Sequence, residues 1–216
     1  MKQVDLEVEK ALAAQAAAAL VEDGMRVGLG TGSTVAHLLT ALADRGLSVQ
    51  CVSTSPRTED IARALGLEVT TLDALGHLDI AIDGADEVAD DGWLIKGGGA
   101  AHTREKIVAA AADRFVVMVD STKPVRRLTW PVPVELLEFG LVATLAHLEP
   151  VTLRDVPRSP DGGVIADYRG PLDDPAAVAA LLSSTPGVVD HGLFPPSMVT
   201  DVVIARGSEV EHRRLH

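Results

Sequence analysis

A lysine and a glutamate bracket three consecutive glycines in LIKGGGAAHTREKI, residues 94–107. Glycine runs let a backbone approach a ligand closely and take conformations closed to other residues. Lys96 before the turn and Glu105 just inside the next helical pattern could supply an electrophile and a base, as proton transfer beside a carbonyl requires. Glu105 also has a purely structural reading, because the macrodipole favours a carboxylate in a first helical turn. That preference for the ionised form works against a base, so the catalytic reading calls for desolvation or another carboxylate close by.

A second glycine-rich turn lies in VGLGTGSTVAHLL, residues 27–39, between a strand pattern and a helical one. A dinucleotide fingerprint starting at Gly28 needs glycine at position 33 and meets Ser33, and the next strand, VQCVST, ends without a carboxylate for a ribose hydroxyl. No Gly-Lys-Ser/Thr follows, so it is not a Walker loop. What remains is a turn of backbone N–H groups around Gly32, with the hydroxyls of Thr31, Ser33 and Thr34, at a helix N-terminus suited to a small anion. The structural alternative is an ordinary turn with Ser33 or Thr34 as N-cap.

Two more turns follow apolar strand patterns: Asp83-Gly84-Ala85-Asp86-Glu87 after LDIAI, and Asp120-Ser121-Thr122-Lys123 after FVVMV. Ligands of an open parallel sheet sit beyond the carboxyl ends of its strands, so these turns read together as one site. Singly, Asp83 and Asp86 also fit as turn or cap residues, and Lys123 as a solvated loop lysine.

The elements that must hold these turns alternate. VGLG, VQCVST, LDIAID and FVVMVD are separated by helical stretches such as PRTEDIARALG and TREKIVAAAAD, which predicts a Rossmann-like, mostly parallel α/β sheet with helices on both faces. Eleven of the twelve prolines lie at or beyond Pro124, marking a change of architecture. From there the order is β-α-β-β-α-β: WPVPVEL, EFGLVATLAHL, VTLRDV, VIADYR, DPAAVAALLSS and VVDHGLF, a small ferredoxin-like α+β arrangement. Asp174-Pro175 reads as an N-cap with proline at the first helical position. The run DVVIARG returns to the first sheet. The expected division is therefore 1–126 with 199–216 as the catalytic α/β domain, and 127–198 as an inserted small domain.

Composition excludes several classes of function. A chain of 216 residues, 47% apolar, buries roughly 70% of its unfolded surface without staples. A net charge of −12 argues against a nucleic-acid or anionic-membrane partner, and no run of 18 apolar residues suggests a span. ALAAQAAAALV follows an acidic start and reads as an ordinary helix, not a signal segment. The single cysteine, Cys51, excludes an internal disulfide and fits a reducing, cytoplasmic setting.

In order along the chain, GLGTGST, DIAIDGADEV, LIKGGGAAHTREKI, VDSTK and PGVVDHGLF resemble the successive motifs of the type A ribose-5-phosphate isomerase family. The resemblance implies interconversion of ribose 5-phosphate and ribulose 5-phosphate through an enediol, in the pentose phosphate pathway, with no metal or organic cofactor. It implies Glu105 as general base, with Asp83, Asp86 and Lys96 around the reacting carbons. The turns Gly84-Ala85 and Gly97-Gly98-Gly99 would line the substrate, the glycine N–H groups helping Lys96 to hold a developing oxyanion. Thr31, Gly32, Ser33, Thr34, Lys123 and Lys10 carry over as substrate or phosphate contacts, and a homodimer or homotetramer is expected.

Departures are His102, where the family commonly has an apolar residue, SPDGG in place of Thr-Asp-Asn-Gly-Asn, and Glu138 in place of proline. His102 reads as a surface or packing residue. Two other functions fit parts of the pattern: a divalent metal on Asp83, Asp86 and Glu87 serving another sugar phosphate, and a non-catalytic sugar-phosphate sensor, which lacks room here for a DNA-reading module.

Overall fold

A computed structural model describes residues 5–215. The chain runs through α1 (Leu6–Ala18), β1 (Arg26–Leu29), α2 (Ser33–Asp44), β2 (Gln50–Ser53), α3 (Pro56–Ala64), β3 (Glu68–Thr70), α4 (Leu72–Leu75) and β4 (Ile80–Asp83). It continues through β5 (Glu87–Ala89), β6 (Leu94–Ile95), α5 (His102–Ala110), β7 (Phe115–Val119), β8 (Pro124–Val125), β9 (Val132–Leu136) and α6 (Leu141–His147). The last elements are β10 (Val151–Leu153), β11 (Val164–Tyr168), α7 (Pro175–Ser184), β12 (Val188–His191), β13 (Leu193–Phe194), β14 (Asp201–Arg206) and β15 (Glu209–Arg214). Two compact units result. The first runs up to Ala85, resumes over Arg104–Pro124 and returns from Ser197; the second takes Asp86–Thr103 and Val125–Pro196.

The first unit is built on a seven-stranded sheet in the order β15-β14-β7-β4-β1-β2-β3. Strands β3, β2, β1, β4, β7 and β14 pair in parallel, and β15 closes one edge in antiparallel. This is the doubly wound order, in which the sequence of strands reverses between β1 and β4. Strand β7 is buried at every position, as a parallel strand covered on both faces must be. Val27 and Leu29 point into a core shared with Ala13, Ala14 and Ala17 of α1 and Leu38 and Leu42 of α2. Gly28, between them, faces the other way: a Cβ there would lie 2.5 Å from Val108 of α5. Side-chain alternation along one strand thus places helices on both faces of the sheet. Asp5 caps α1 by accepting the N–H of Glu7, so the alanine-rich start is a helix as expected. Among the described residues no helix is long and apolar enough to cross a membrane.

The second unit holds an antiparallel sheet in the order β10-β11-β9-β12. Its strands and helices follow the expected β-α-β-β-α-β sequence, with Val134, Leu136, Ala166, Leu148 and Leu182 in the core. Asp174 caps α7 through the N–H of Ala177 and Pro175 opens the helix. A further small sheet, β13-β6-β5-β8, has strands of only two or three residues. Its β5–β6 hairpin carries the KGGG segment, so residues 86–103 belong with this unit although they precede the proline-rich stretch.

Candidate active site

The reversal point between β1 and β4 is where a doubly wound sheet opens a crevice, and the GTGST turn and Asp83 leave the sheet on its two sides. Asp83, 3% exposed, accepts the N–H of Thr31 at 3.1 Å and that of Gly84 at 2.7 Å through Oδ1. A Cβ on Gly30 would stand 1.9 Å from this carboxylate, so only glycine leaves room for it. The Thr31 hydroxyl pairs with that of Thr54 at 2.8 Å. Thr31 thus turns both its N–H and its hydroxyl into the protein, and the exposed part of the turn is Gly32 and Ser33. The N-cap is not Ser33 or Thr34. Helix α2 begins at Ser33, and Gly32, with φ of 139°, caps it without a side-chain hydrogen bond. Its positive end is presented to the crevice by backbone alone, which is the arrangement that holds anions.

Helix α5 brings Glu105 to the same edge. Its C-terminal end meets Leu78, whose N–H donates to Ala111 O just before β4 begins, so the helix runs antiparallel to the strands. Val108 packs over Gly28 at mid-sheet, and Glu105, one turn earlier on the same helix face, lies toward the carboxyl edge. It is 4% exposed, the desolvated setting that a carboxylate base in a first helical turn requires.

The loop after β7 reaches the same edge of the first unit. Buried Asp120 accepts the N–H of Thr122 at 2.9 Å and its hydroxyl at 2.5 Å, and Lys123 N–H donates to Asp120 O. Ser121 N–H donates to Glu9 of α1 at 2.8 Å, and Gly207 N–H donates to the same carboxylate at 2.5 Å. Burial alone would raise the Glu9 carboxyl, but these donors outweigh it and hold the group below the ordinary carboxylate range. Glu9 was missed in the sequence; a glutamate in an alanine-rich helix carries no signal that it is buried. Next to it, Lys10 pairs with Glu7 at 2.6 Å.

In the second unit the hairpin sets Asp86 N–H on Ile95 O at 2.8 Å, bringing Asp86 beside the lysine–glycine turn. Lys96 is 2% exposed and its ammonium lies 5.5 Å from the Phe194 ring centroid, a cation–π distance. Gly97 has φ of 105° and Ala100 of 61°, so the turn occupies left-handed backbone at two positions. The Gly98 N–H donates to Asp86 Oδ2 at 2.8 Å. This corrects the expectation that Gly98 offers its N–H to an oxyanion. His102 is fully buried and packs on Gly97, where an added Cβ would lie 2.7 Å from its Nδ1; the packing half of its reading stands and the surface half does not. Thr103 ties the start of α5 to Glu135 of β9 at 2.5 Å, and Ser159 of the SPDGG turn donates to the same carboxylate.

Glu87 is taken up by neighbours within the second unit. It accepts the Thr129 N–H at 2.6 Å, the Thr129 hydroxyl at 2.5 Å and the Trp130 N–H at 3.1 Å. Among the described residues no group of three or more His, Cys, Asp or Glu could hold a metal ion. Cys51 is fully buried, and burial pushes its thiol up to about 12.

The family model of ribose 5-phosphate isomerase A (phosphoriboisomerase A) matches residues 50–209. The chain belongs to the ribose 5-phosphate isomerase A family. It is 46% identical over 209 residues to the ribose-5-phosphate isomerase A of Haloarcula marismortui, with 90% of each chain covered. To that of Gluconobacter oxydans it is 43% identical over 229 residues, covering 98% of this chain and 99% of the relative. A D-ribose-5-phosphate isomerase solved in complex with phospho-erythronic acid superposes with a TM-score of 0.92 at 34% identity, covering 97% of this chain and 99% of that one. The doubly wound first unit and the small antiparallel second sheet are therefore those of the ribose 5-phosphate isomerase A fold.

Proposed function

We propose that this member of the family interconverts ribose 5-phosphate and ribulose 5-phosphate with Glu105 as its single general base. The observation that carries the reading is 46% identity across nine-tenths of the chain to a ribose-5-phosphate isomerase A. Glu105 takes the C2 proton of the open-chain aldose, giving an enediol, and returns a proton to C1. Lys96 supplies positive charge to the oxygen on which negative charge develops. Asp83 and Asp86 exchange protons with the sugar oxygens, including during ring opening. The substrate's two ends differ: hydroxyls face the carboxylates, while the phosphate goes to the exposed N-terminus of α2 around Gly32, Ser33 and Thr34, with Lys123 and Lys10 adding charge.

The complex of a related isomerase with phospho-erythronic acid, a sugar-acid phosphate, supports a small sugar phosphate as ligand here. We assign the protein to the cytoplasm, where a lone cysteine stays reduced, and to a homodimer or homotetramer. The exposed apolar side chains of Phe139 and Val142 in the second unit, 93% and 82% exposed, support self-association. The test is incubation of the purified protein with ribose 5-phosphate in EDTA, following ketose formation. Turnover is expected; loss of turnover in EDTA with recovery on adding magnesium or manganese would replace this mechanism with a metal-dependent one.

A further inference from the structure

Arg154 and Asp86 grip the two ends of one peptide bond. The peptide between Gly97 and Gly98 presents its carbonyl to Arg154 Nη1 at 2.9 Å and its N–H to Asp86 Oδ2 at 2.8 Å. Arg154 is itself anchored: Nε and Nη2 donate to Asp167 Oδ1 at 2.9 and 2.6 Å. The anchor follows from strand geometry. Thr152 faces Asp167 in the β10–β11 register, so Arg154, two residues on, meets Asp167 as a diagonal neighbour on the same face.

A Gly-Gly peptide has almost no side-chain hindrance to rotation, and this one sits in a turn that carries positive φ at Gly97 and Ala100. Gly97 takes its positive φ without strain, whereas left-handed backbone at Ala100, which carries a Cβ, persists only where its surroundings over-determine it. A flip of the peptide would turn its carbonyl toward the Asp86 carboxylate, replacing a charge-assisted hydrogen bond with repulsion between two acceptors. The guanidinium makes that flip unfavourable. It also polarises the peptide, strengthening the hydrogen bond that the N–H makes to Asp86 at the other end.

We propose that Arg154, held by Asp167, is a positioning residue that fixes the Gly97–Gly98 peptide and, through it, the carboxylate of Asp86 for the isomerisation. This rests on the functional reading above, because it gives Asp86 a role at the sugar oxygens. Arg154 lies more than fifty residues from the turn in sequence and contacts it only through main-chain atoms.

Arg154 and Gly98 also line a cavity of about 360 Å³, walled by Trp130, Pro131, Val156 and Asp167. Removing the side chain enlarges this space beside Asp167, so a free guanidinium ion can take the vacated place. The experiment compares kcat and KM for ribose 5-phosphate in wild type, Arg154→Ala and Asp167→Asn, each with and without guanidinium chloride far below denaturing concentration. Arg154→Ala is expected to lower kcat roughly tenfold to a hundredfold with KM changed much less, the cost of a misplaced catalytic group. Guanidinium should restore part of that kcat in Arg154→Ala and none in wild type. Asp167→Asn should show a smaller loss of the same kind.

Should Arg154→Ala not fold, Arg154→Lys decides, since one ammonium cannot span the Gly97 carbonyl and Asp167 with the same fork. A several-fold fall in its kcat supports the proposal. Folded variants with wild-type kcat, or a loss confined to KM and unmoved by guanidinium, would overturn it. Wild-type turnover separates the two claims: an inactive wild type overturns the functional reading and this inference together, whereas an active wild type beside an unaffected variant overturns this inference alone.

Discussion

The carboxylate of Asp83 fills the space above Gly30, so close that an added Cβ would stand 1.9 Å from it. Aspartate and glycine leave neighbouring strands, β4 and β1, on the two sides of the point where strand order reverses. The glycine of the turn is therefore required by a side chain of the next strand. Gly30→Ala is expected to displace Asp83 and pull its Oδ1 off the N–H of Thr31. A side chain pushed out of place within a packed site costs about 1–3 kcal/mol in stability, and activity should fall further than stability. Thermal melting with kcat/KM checks this; a variant of wild-type activity would show that Asp83 tolerates movement.

Glu105→Gln is isosteric and cannot accept the C2 proton. Turnover should drop by roughly 10² to 10⁴, the usual worth of a positioned acid–base group, while the fold and substrate affinity are kept. Steady-state kinetics and equilibrium binding of ribose 5-phosphate read the two separately. A variant within a few-fold of wild type would return Glu105 to the status of a helix-dipole residue.

Lys123→Ala should remove a charge-assisted contact worth about 1.5–3 kcal/mol. The loss in kcat/KM should be far larger for ribose 5-phosphate than for unphosphorylated ribose. Part of it belongs in kcat, because binding energy from a remote phosphate can be realised in the transition state. Equal losses on both sugars would mean that Lys123 does not hold the phosphate.

At the opposite edge of the sheet from the candidate site, fully buried Asp201 receives Arg114 Nε and Nη2 at 2.7 Å each, Thr200 Oγ1 at 2.8 Å and His212 Nε2 at 2.7 Å. Burial would raise this carboxyl, but the Arg114 guanidinium and the other donors hold it far below the usual range. A group depressed in the folded state stabilises fully above its unfolded value near 4 and loses that contribution as pH falls toward the folded value. Asp201→Asn should therefore cost about 1.5–3 kcal/mol at neutral pH, with the gap to wild type closing in acid. Urea unfolding at neutral pH and at a pH below the unfolded value measures it; a gap that widens in acid would contradict the assignment.

Most of the sheet was readable because its strands are buried on both faces and announce themselves as apolar runs ending in polar turns. Asp83, Asp86, Lys96 and Glu105 stood out because glycines mark where backbone must come close. Arg154 and Asp167 gave no such sign. Their partner is a carbonyl, and no residue type advertises a contact to main chain. The hairpin strands β5 and β6 are too short for any periodicity, and β15, the charged run EVEHRR, lacks alternation because all six residues are exposed. Ser33 and Thr34 were plausible caps by type, but the cap went to Gly32 because a positive φ is needed where the chain turns into α2.

Strand β15 also has a bearing on how the protein behaves at high concentration. Every side chain it presents is exposed, and four of its six residues are formally charged, whereas β14 beside it in the sheet is buried over Asp201–Ala205. A sheet ending at β14 would offer an apolar row of unpaired N–H and C=O groups to any other chain. The hairpin thus acts as a solubility guard, and a chain cut after Gly207 is expected to precipitate before its chemistry can be measured.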